Sequence, residues 1–166
     1  MYGDLPEGAR RVQEFLFEHG SAAVVRLLPD TTATAQDAAR TLGVPVSHIG
    51  KSIVFASDGP TIVAIACGDD RIDTEALARA ADASGVKSMR ADAVKQSTGY
   101  VIGGVSPFGL PSEAKIIIDS RLRDLDECYV AAGHPRAVVH ITPDELVAVT
   151  GAVVCAIAAS IRPERG

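Results

Sequence analysis

The chain of 166 residues has the length of one domain, and 47% apolar residues with a mean hydropathy of +0.19 rule out a disordered or low-complexity protein. A formal charge of −5, with 4% aromatics and no tryptophan, excludes a polycation that coats nucleic acid through charge alone and a broad aromatic stacking surface. A nucleic-acid role would need a local basic patch on an acidic body.

From the N-terminus, residues Pro6 to His19 place Ala9, Val12, Phe15 and Leu16 at helical spacing, with Gly20 as the stop. A β-like run covers Ala22 to Leu28 and ends at Pro29-Asp30. Thr34 is positioned to cap a helix through Leu42 that Gly43 closes. The β-branched runs Lys51 to Ser57 and Thr61 to Cys67 are joined through Asp58-Gly59-Pro60, which predicts a hairpin. A helix from Asp73 or Thr74 to Ala83, stopped by Gly85, precedes a short strand over Val86 to Arg90 and a short helix over Ala91 to Ser97.

Strands are expected over Lys115 to Asp119, Cys128 to Ala132 and Ala137 to Ile141. Thr142-Pro143-Asp144-Glu145 reads as a capping box with proline at the first helical position, opening a helix that Gly151 ends, and Ala152 to Ala158 is the last strand. No repeat or linker interrupts the pattern, so residues 1–166 read as a single α/β domain with a mixed sheet of about seven strands and four or five short helices.

Cys67, Cys128 and Cys155 each sit in an apolar run, without metal-clip spacing, and read as buried, reduced core thiols. His19, His48 and His140 form no ligand spacing with any carboxylate or thiol, so no metal or other cofactor is expected. Asp4 and Glu7 stand where a signal peptide would be basic, and the apolar stretch Leu146 to Ala159 is interrupted and too short to span a bilayer. A cytoplasmic protein with no membrane partner is the expectation.

Three features could carry chemistry. Gly50-Lys51-Ser52 resembles the end of a phosphate-binding loop, but Pro45 stands where that motif needs glycine and a strand follows where it needs a helix. Lys51 is either a strand-end lysine reaching solvent or an ammonium held beside an apolar wall, where it could meet an anionic group or a developing oxyanion. The second feature is the loop Gly99-Tyr100-Val101-Ile102-Gly103-Gly104-Val105-Ser106-Pro107-Phe108-Gly109, with four glycines in an apolar setting. It is either a tight buried turn or a backbone surface that a ligand can approach. The third is Gly133-His134-Pro135, where His134 is a turn residue or lines a pocket as donor, acceptor or general base.

Gly50-Lys51-Ser52 leading into a strand, then Thr98 to Gly109 (TGYVIGGVSPFG), then Lys115 to Ser120 (KIIIDS), resemble the YbaK/prolyl-tRNA-synthetase-associated domain. The resemblance runs from the Thr34 to Leu42 helix to the Thr142 to Ile157 tail. It implies a free-standing, metal-independent deacylase that edits aminoacyl-tRNA in trans, with the mischarged tRNA acceptor end as partner and a prolyl-tRNA synthetase as a possible second one. The family's lysine falls on Lys51. Gly103 and Gly104 are the candidates for backbone contacts to the aminoacyl carbonyl, and His134 completes the catalytic set. Gly99, Tyr100, Ser106, Pro107, Phe108, Gly109 and Gly133 would bind substrate. Gly133-His134-Pro135 matches the alanine-editing type, which favours tRNA(Pro) carrying Ala or another small residue.

An aminoacyl ester is already activated, so positioned donors can suffice while water or the neighbouring ribose hydroxyl handles the proton. On this acidic chain, tRNA binding calls for Lys87, Arg90 and Lys95 to gather with Lys51 near the pocket rim. A non-catalytic module that binds aminoacyl-tRNA or a synthetase, and a small-molecule amino-acid binder, are the alternatives from other classes.

Overall fold

The computed structural model describes residues 4–159. Helix α1 (Glu7–Glu18) buries Ala9, Val12, Gln13 and Leu16, and the short strand β1 (Val25–Leu27) follows. Helix α2 (Ala35–Leu42) starts where the Thr34 hydroxyl accepts from the Asp37 amide. After a 3-10 turn (Val46–His48) come β2 (Ile49–Ser57) and β3 (Ile62–Cys67), the expected hairpin, paired from Gly50↔Cys67 to Phe55↔Ile62. Strand β4 (Arg71–Ile72) leads to α3 (Thr74–Ala80), capped by Asp73 through the amides of Glu75 and Ala76. Strand β5 (Val86–Ser88) and helix α4 (Ala91–Thr98) precede the glycine loop. Beyond the loop lie β6 (Lys115–Asp119), α5 (Ser120–Arg123), β7 (Cys128–Ala131), β8 (Ala137–Ile141), α6 (Pro143–Thr150), β9 (Val153–Cys155) and β10 (Ala158–Ala159).

The main sheet is mixed, with strand order β1-β8-β7-β2-β3-β6-β9 and β5 added to β2; β4 and β10 form a separate pair. The consequential feature is β2. On one side it pairs with β3 along its length. On the other it pairs in parallel with β7 at Ile49 and Gly50, then antiparallel with β5 from Phe55 to Ser57. The two neighbours diverge, so the sheet is notched beside Lys51, Ser52 and Ile53.

One face of the sheet packs Ile65, Val130 and Val139 against α1 and the buried part of the glycine loop, including Tyr100 and Phe108. The other face packs Phe55, Ile62 and Ala64 against Leu77 and Ala81 of the α3 region. Burial of these apolar side chains supplies the main driving force for the fold.

Three expectations are adjusted. The run Ala22 to Leu28 narrows to β1, because β8 offers it partners only at Ala137, Val138 and Val139. Helix α3 ends before Gly85, since Asp82 already turns the chain with φ of 57°. The last strand breaks into β9 and β10 because the buried Asp119 carboxylate accepts from the Ile157 and Ala158 amides at 2.8 and 3.0 Å, turning the chain away from β6 after Cys155 and toward β4.

The cysteines are free thiols; Cys67 and Cys128 are fully buried, whereas Cys155 on the edge strand β9 is only partly so. Burial pushes the Cys67 thiol up to about 11 and the Cys128 thiol up to about 12. An acid whose folded pKa is raised stays protonated in the native state while the unfolded chain, near 9.0, has lost its proton. Native protein then binds more protons than unfolded, and stability falls with rising pH between about 9 and 11–12. Urea midpoints should therefore decline from about pH 8 to about pH 10, with a shallower decline in Cys67→Ala/Cys128→Ala. Parallel slopes in the two proteins would refute this origin.

Candidate active site

The notch in the sheet opens into a cleft of about 160 Å³. Its floor is Ile49, Gly50, Lys51 and Ser52 of β2, one wall is α2 through Ala35 and Ala38, and another is β7–β8 through Val130 and Val138. Ile102, Gly103 and Val105 of the glycine loop close the remaining side. The lining is mostly small and apolar, with the hydroxyl side chains of Thr32, Thr34 and Ser52 and the Tyr129 ring among it, and Lys51 is the one charged side chain that the described residues contribute.

Lys51 is half-buried, and its Nζ donates to the carbonyl oxygen of Asp70 at 2.7 Å and more loosely to that of Gly68 at 3.4 Å. Burial moves the ammonium below the ordinary lysine range, opposed by the nearby Asp70 and Asp69 carboxylates. The Asp70 and Asp69 carboxylates in turn pair with Arg121 of α5, at 2.7 and 2.9 Å. Lys51 is thus an ammonium held by main-chain carbonyls at the edge of an apolar cavity, a geometry suited to meeting an anionic or carbonyl oxygen.

Gly103 adopts φ of 91°, in the left-handed region, and a Cβ there would stand 3.0 Å from the Ala33 side chain. Both constraints require glycine and let the loop backbone close on the cleft. Gly104 plays another part: a Cβ would fall 2.8 Å from the His134 amide nitrogen, and its carbonyl accepts from the Gly133 amide. It seats the loop on the Gly133–His134 turn.

The structure brings Lys51 and Gly103 together in this cleft and places the other expected residues elsewhere. Gly99, Tyr100, Gly133, His134 and Lys95 line a second cavity behind the loop. There His134 Nδ1 accepts from the Arg136 amide at 3.1 Å, a turn-stabilising contact. Ser106, Pro107 and Phe108 are buried; the Ser106 hydroxyl accepts from the Phe108 amide, and the Phe108 ring lies 6.1 Å from that of Phe15. Lys87 sits on β5 opposite Ala56, Arg90 precedes α4, and neither they nor Lys95 line the Lys51 cleft.

Arg11 of α1 was not legible as a functional residue, since on an amphipathic helix it resembles any solvated charge. Its Nη2 donates to the Thr98 carbonyl at 3.1 Å and to the Gly109 carbonyl, and its guanidinium lies 4.5 Å from the Tyr100 ring centroid. It ties together the two ends of the glycine loop. The Tyr100 hydroxyl, donating to the Phe108 carbonyl, braces the loop from within. Arg11→Met keeps the packing stem but removes the clamp. It should cost about 2 kcal/mol, typical of a charged donor to backbone oxygens, and speed amide exchange across residues 99–109. Unchanged exchange in that segment would show that Arg11 does not hold it.

The family model of the aminoacyl-tRNA editing domain matches residues 29–149. The chain belongs to the aminoacyl-tRNA editing domain family. Its relatives include the uncharacterized protein YwhH of Bacillus subtilis, 33% identical over 117 residues, covering 70% of this chain and 74% of that protein. The proline--tRNA ligase of Lactobacillus helveticus is 33% identical over 100 residues, covering 60% of this chain but 18% of the ligase. Among solved structures, one provisionally described as a trans-editing enzyme for prolyl-tRNA synthetase matches with a TM-score of 0.87 and 34% identity over 95% of this chain and 100% of that one, and the hypothetical protein APE2540 with a TM-score of 0.84 and 30% identity over 90% and 99%. The family model's match starts after α1, so Arg11 lies outside the residues that it matches while clamping a loop inside them.

Among the described residues no helix is long and apolar enough to cross a membrane, and no three His, Cys, Asp or Glu side chains cluster to hold a metal ion.

Proposed function

We propose that this editing-domain protein is a deacylase acting in trans on mischarged aminoacyl-tRNA, hydrolysing the ester of tRNA(Pro) that carries Ala or another small amino acid. The observation that supports it is the meeting of the Lys51 ammonium and the Gly103 backbone at one small, mostly apolar cleft. An apolar cavity of about 150 Å³ takes a guest near the size of benzene, so a cleft of about 160 Å³ bounds the aminoacyl side chain at about that size and admits Ala with room to spare.

In this reading the terminal ribose lies at the rim with its ester over β2. Lys51 donates to the developing oxyanion, and loop amides near Gly103 help hold the acyl carbonyl. Water attacks the acyl carbon and the ribose oxygen leaves, taking up the water's proton directly or by way of the neighbouring ribose hydroxyl, so that free amino acid and tRNA are released, and no metal takes part. Discrimination by side-chain volume is modest, roughly 10–200-fold per methylene, which suits a second sieve behind a synthetase. A prolyl-tRNA synthetase is a fitting partner, given that a segment of the proline--tRNA ligase of Lactobacillus helveticus resembles this chain.

The test is a deacylation panel: wild-type protein with tRNA(Pro) charged with Ala, Cys or Ser, and a bulky control, in the presence and absence of EDTA. Faster ester loss for a small amino acid, unaffected by EDTA, is expected. An ester half-life unchanged across the panel, with tRNA bound stoichiometrically, would instead establish a binding module.

A further inference from the structure

The β3–β4 turn next to Lys51 carries two consecutive carboxylates, Asp69 and Asp70, the second only 8% exposed at its side chain. A half-buried ammonium beside two carboxylates would ordinarily settle into an ion pair with one of them. Here Lys51 Nζ is bonded instead to two carbonyl oxygens of that turn. The carboxylates point to Arg121, whose Nη1 lies 2.9 Å from Asp69 Oδ1 and 2.7 Å from Asp70 Oδ2, with Nη2 3.4 Å from Asp69 Oδ2. Arg121 is itself fixed: its amide donates to the buried Asp119 carboxylate at the start of α5.

Resting on the deacylase reading, we propose that Arg121 is a positioning residue for Lys51: by holding the Asp69 and Asp70 carboxylates it leaves the ammonium bound to neutral carbonyls and free to serve the cleft. A lysine locked in an ion pair spends its charge on the protein, whereas one held by carbonyl dipoles keeps most of its attraction for a substrate oxygen. The charged groups acting on Lys51 are Asp70, Asp69 and Arg71 of β4, with Arg121 behind the two carboxylates. Removing the Arg121 charge takes these ion pairs from Asp69 and Asp70, so that more of their negative charge acts on Lys51 and raises its affinity for a proton.

The experiment uses the full chain as wild type, Arg121→Met, and the charge-balanced triple variant Arg121→Met/Asp69→Asn/Asp70→Asn. Lys51 is titrated by pH-dependent acetylation with peptide mass spectrometry, Lys87 and Lys115 serving as internal references, and deacylation of Ala-tRNA(Pro) is measured alongside. In Arg121→Met the Lys51 titration should move up by about one pH unit and kcat/KM should fall about tenfold. In the triple variant both should return to within about threefold of wild type, the carboxylates having been made neutral.

An unmoved Lys51 titration in Arg121→Met overturns the proposal, as does a folded triple variant that stays as impaired as the single one. If Arg121→Met fails to fold, the triple variant decides: a wild-type titration supports the proposal, and an unfolded or shifted protein refutes it. A wild type without deacylation refutes the functional reading alone, because the Lys51 titration is read without tRNA.

Discussion

Replacing Lys51 with alanine should lower kcat/KM for the mischarged ester by about 10²–10³-fold, the loss typical of removing one positioned oxyanion donor. The substitution leaves the ladder intact, since residue 51 pairs with Ala66 through its backbone. It deletes two side-chain bonds to main-chain oxygens at 2.7 and 3.4 Å, so a small stability change is expected beside the large rate change. Lys51→Arg should recover little. A guanidinium is planar and longer, and it does not reproduce an ammonium seated on two carbonyls of one turn. Equal hydrolysis by wild type and Lys51→Ala would remove this side chain from the mechanism.

The largest stability effect is expected at Asp119, which is 2% exposed. Its carboxylate accepts from three backbone amides, those of Arg121 at 3.0 Å, Ile157 at 2.8 Å and Ala158 at 3.0 Å. One side chain thereby caps α5 and anchors the crossing from β9 to β10. In Asp119→Ala three amides lose their acceptor, one of them that of the core residue Ile157 and another that of the adjacent Ala158, at a cost of about 1 kcal/mol each. The sum, about 3 kcal/mol, corresponds to a melting temperature lowered by about 6–12 °C for a chain of this size. Asp119→Asn should fall between, because its amide oxygen can still serve Ile157 and Ala158 while its NH₂ group faces the Arg121 amide. Thermal denaturation followed by circular dichroism measures both, and a shift of only about 2 °C in Asp119→Ala would refute the role.

Local chemistry made much of this architecture readable. Thr34, Asp73 and Thr142 cap helices as their residue types require, and Asp58-Gly59-Pro60 joins the hairpin. Lys51 and the glycine loop stood out because each departs from its surroundings, one as a cation before an apolar strand and the other as a flexible segment in an apolar stretch. The parts that could not be read depend on long-range partners. The exchange of β7 for β5 along β2 is decided by strands some 30 to 80 positions away. Arg11 reaches carbonyls at Thr98 and Gly109, and Asp119 meets amides at Ile157 and Ala158; neither pairing leaves a periodic trace. His134 was linked to the site by its neighbours Gly133 and Pro135, whereas its side chain belongs to the turn and to the cavity behind the loop.

The notch beside β2 has a mechanical corollary. The wing formed by β1, β8 and β7 is stitched to the remaining strands through two rungs, Ile49↔Tyr129 and Gly50↔Val130. One flank of the aperture therefore hangs from a short seam at its own base. A methyl group at residue 50 would meet Val130 Cγ1 at 2.8 Å, prying at that seam directly. The width of the opening is thus sensitive to side-chain bulk at a single rung, on the residue next to Lys51 in the cleft floor.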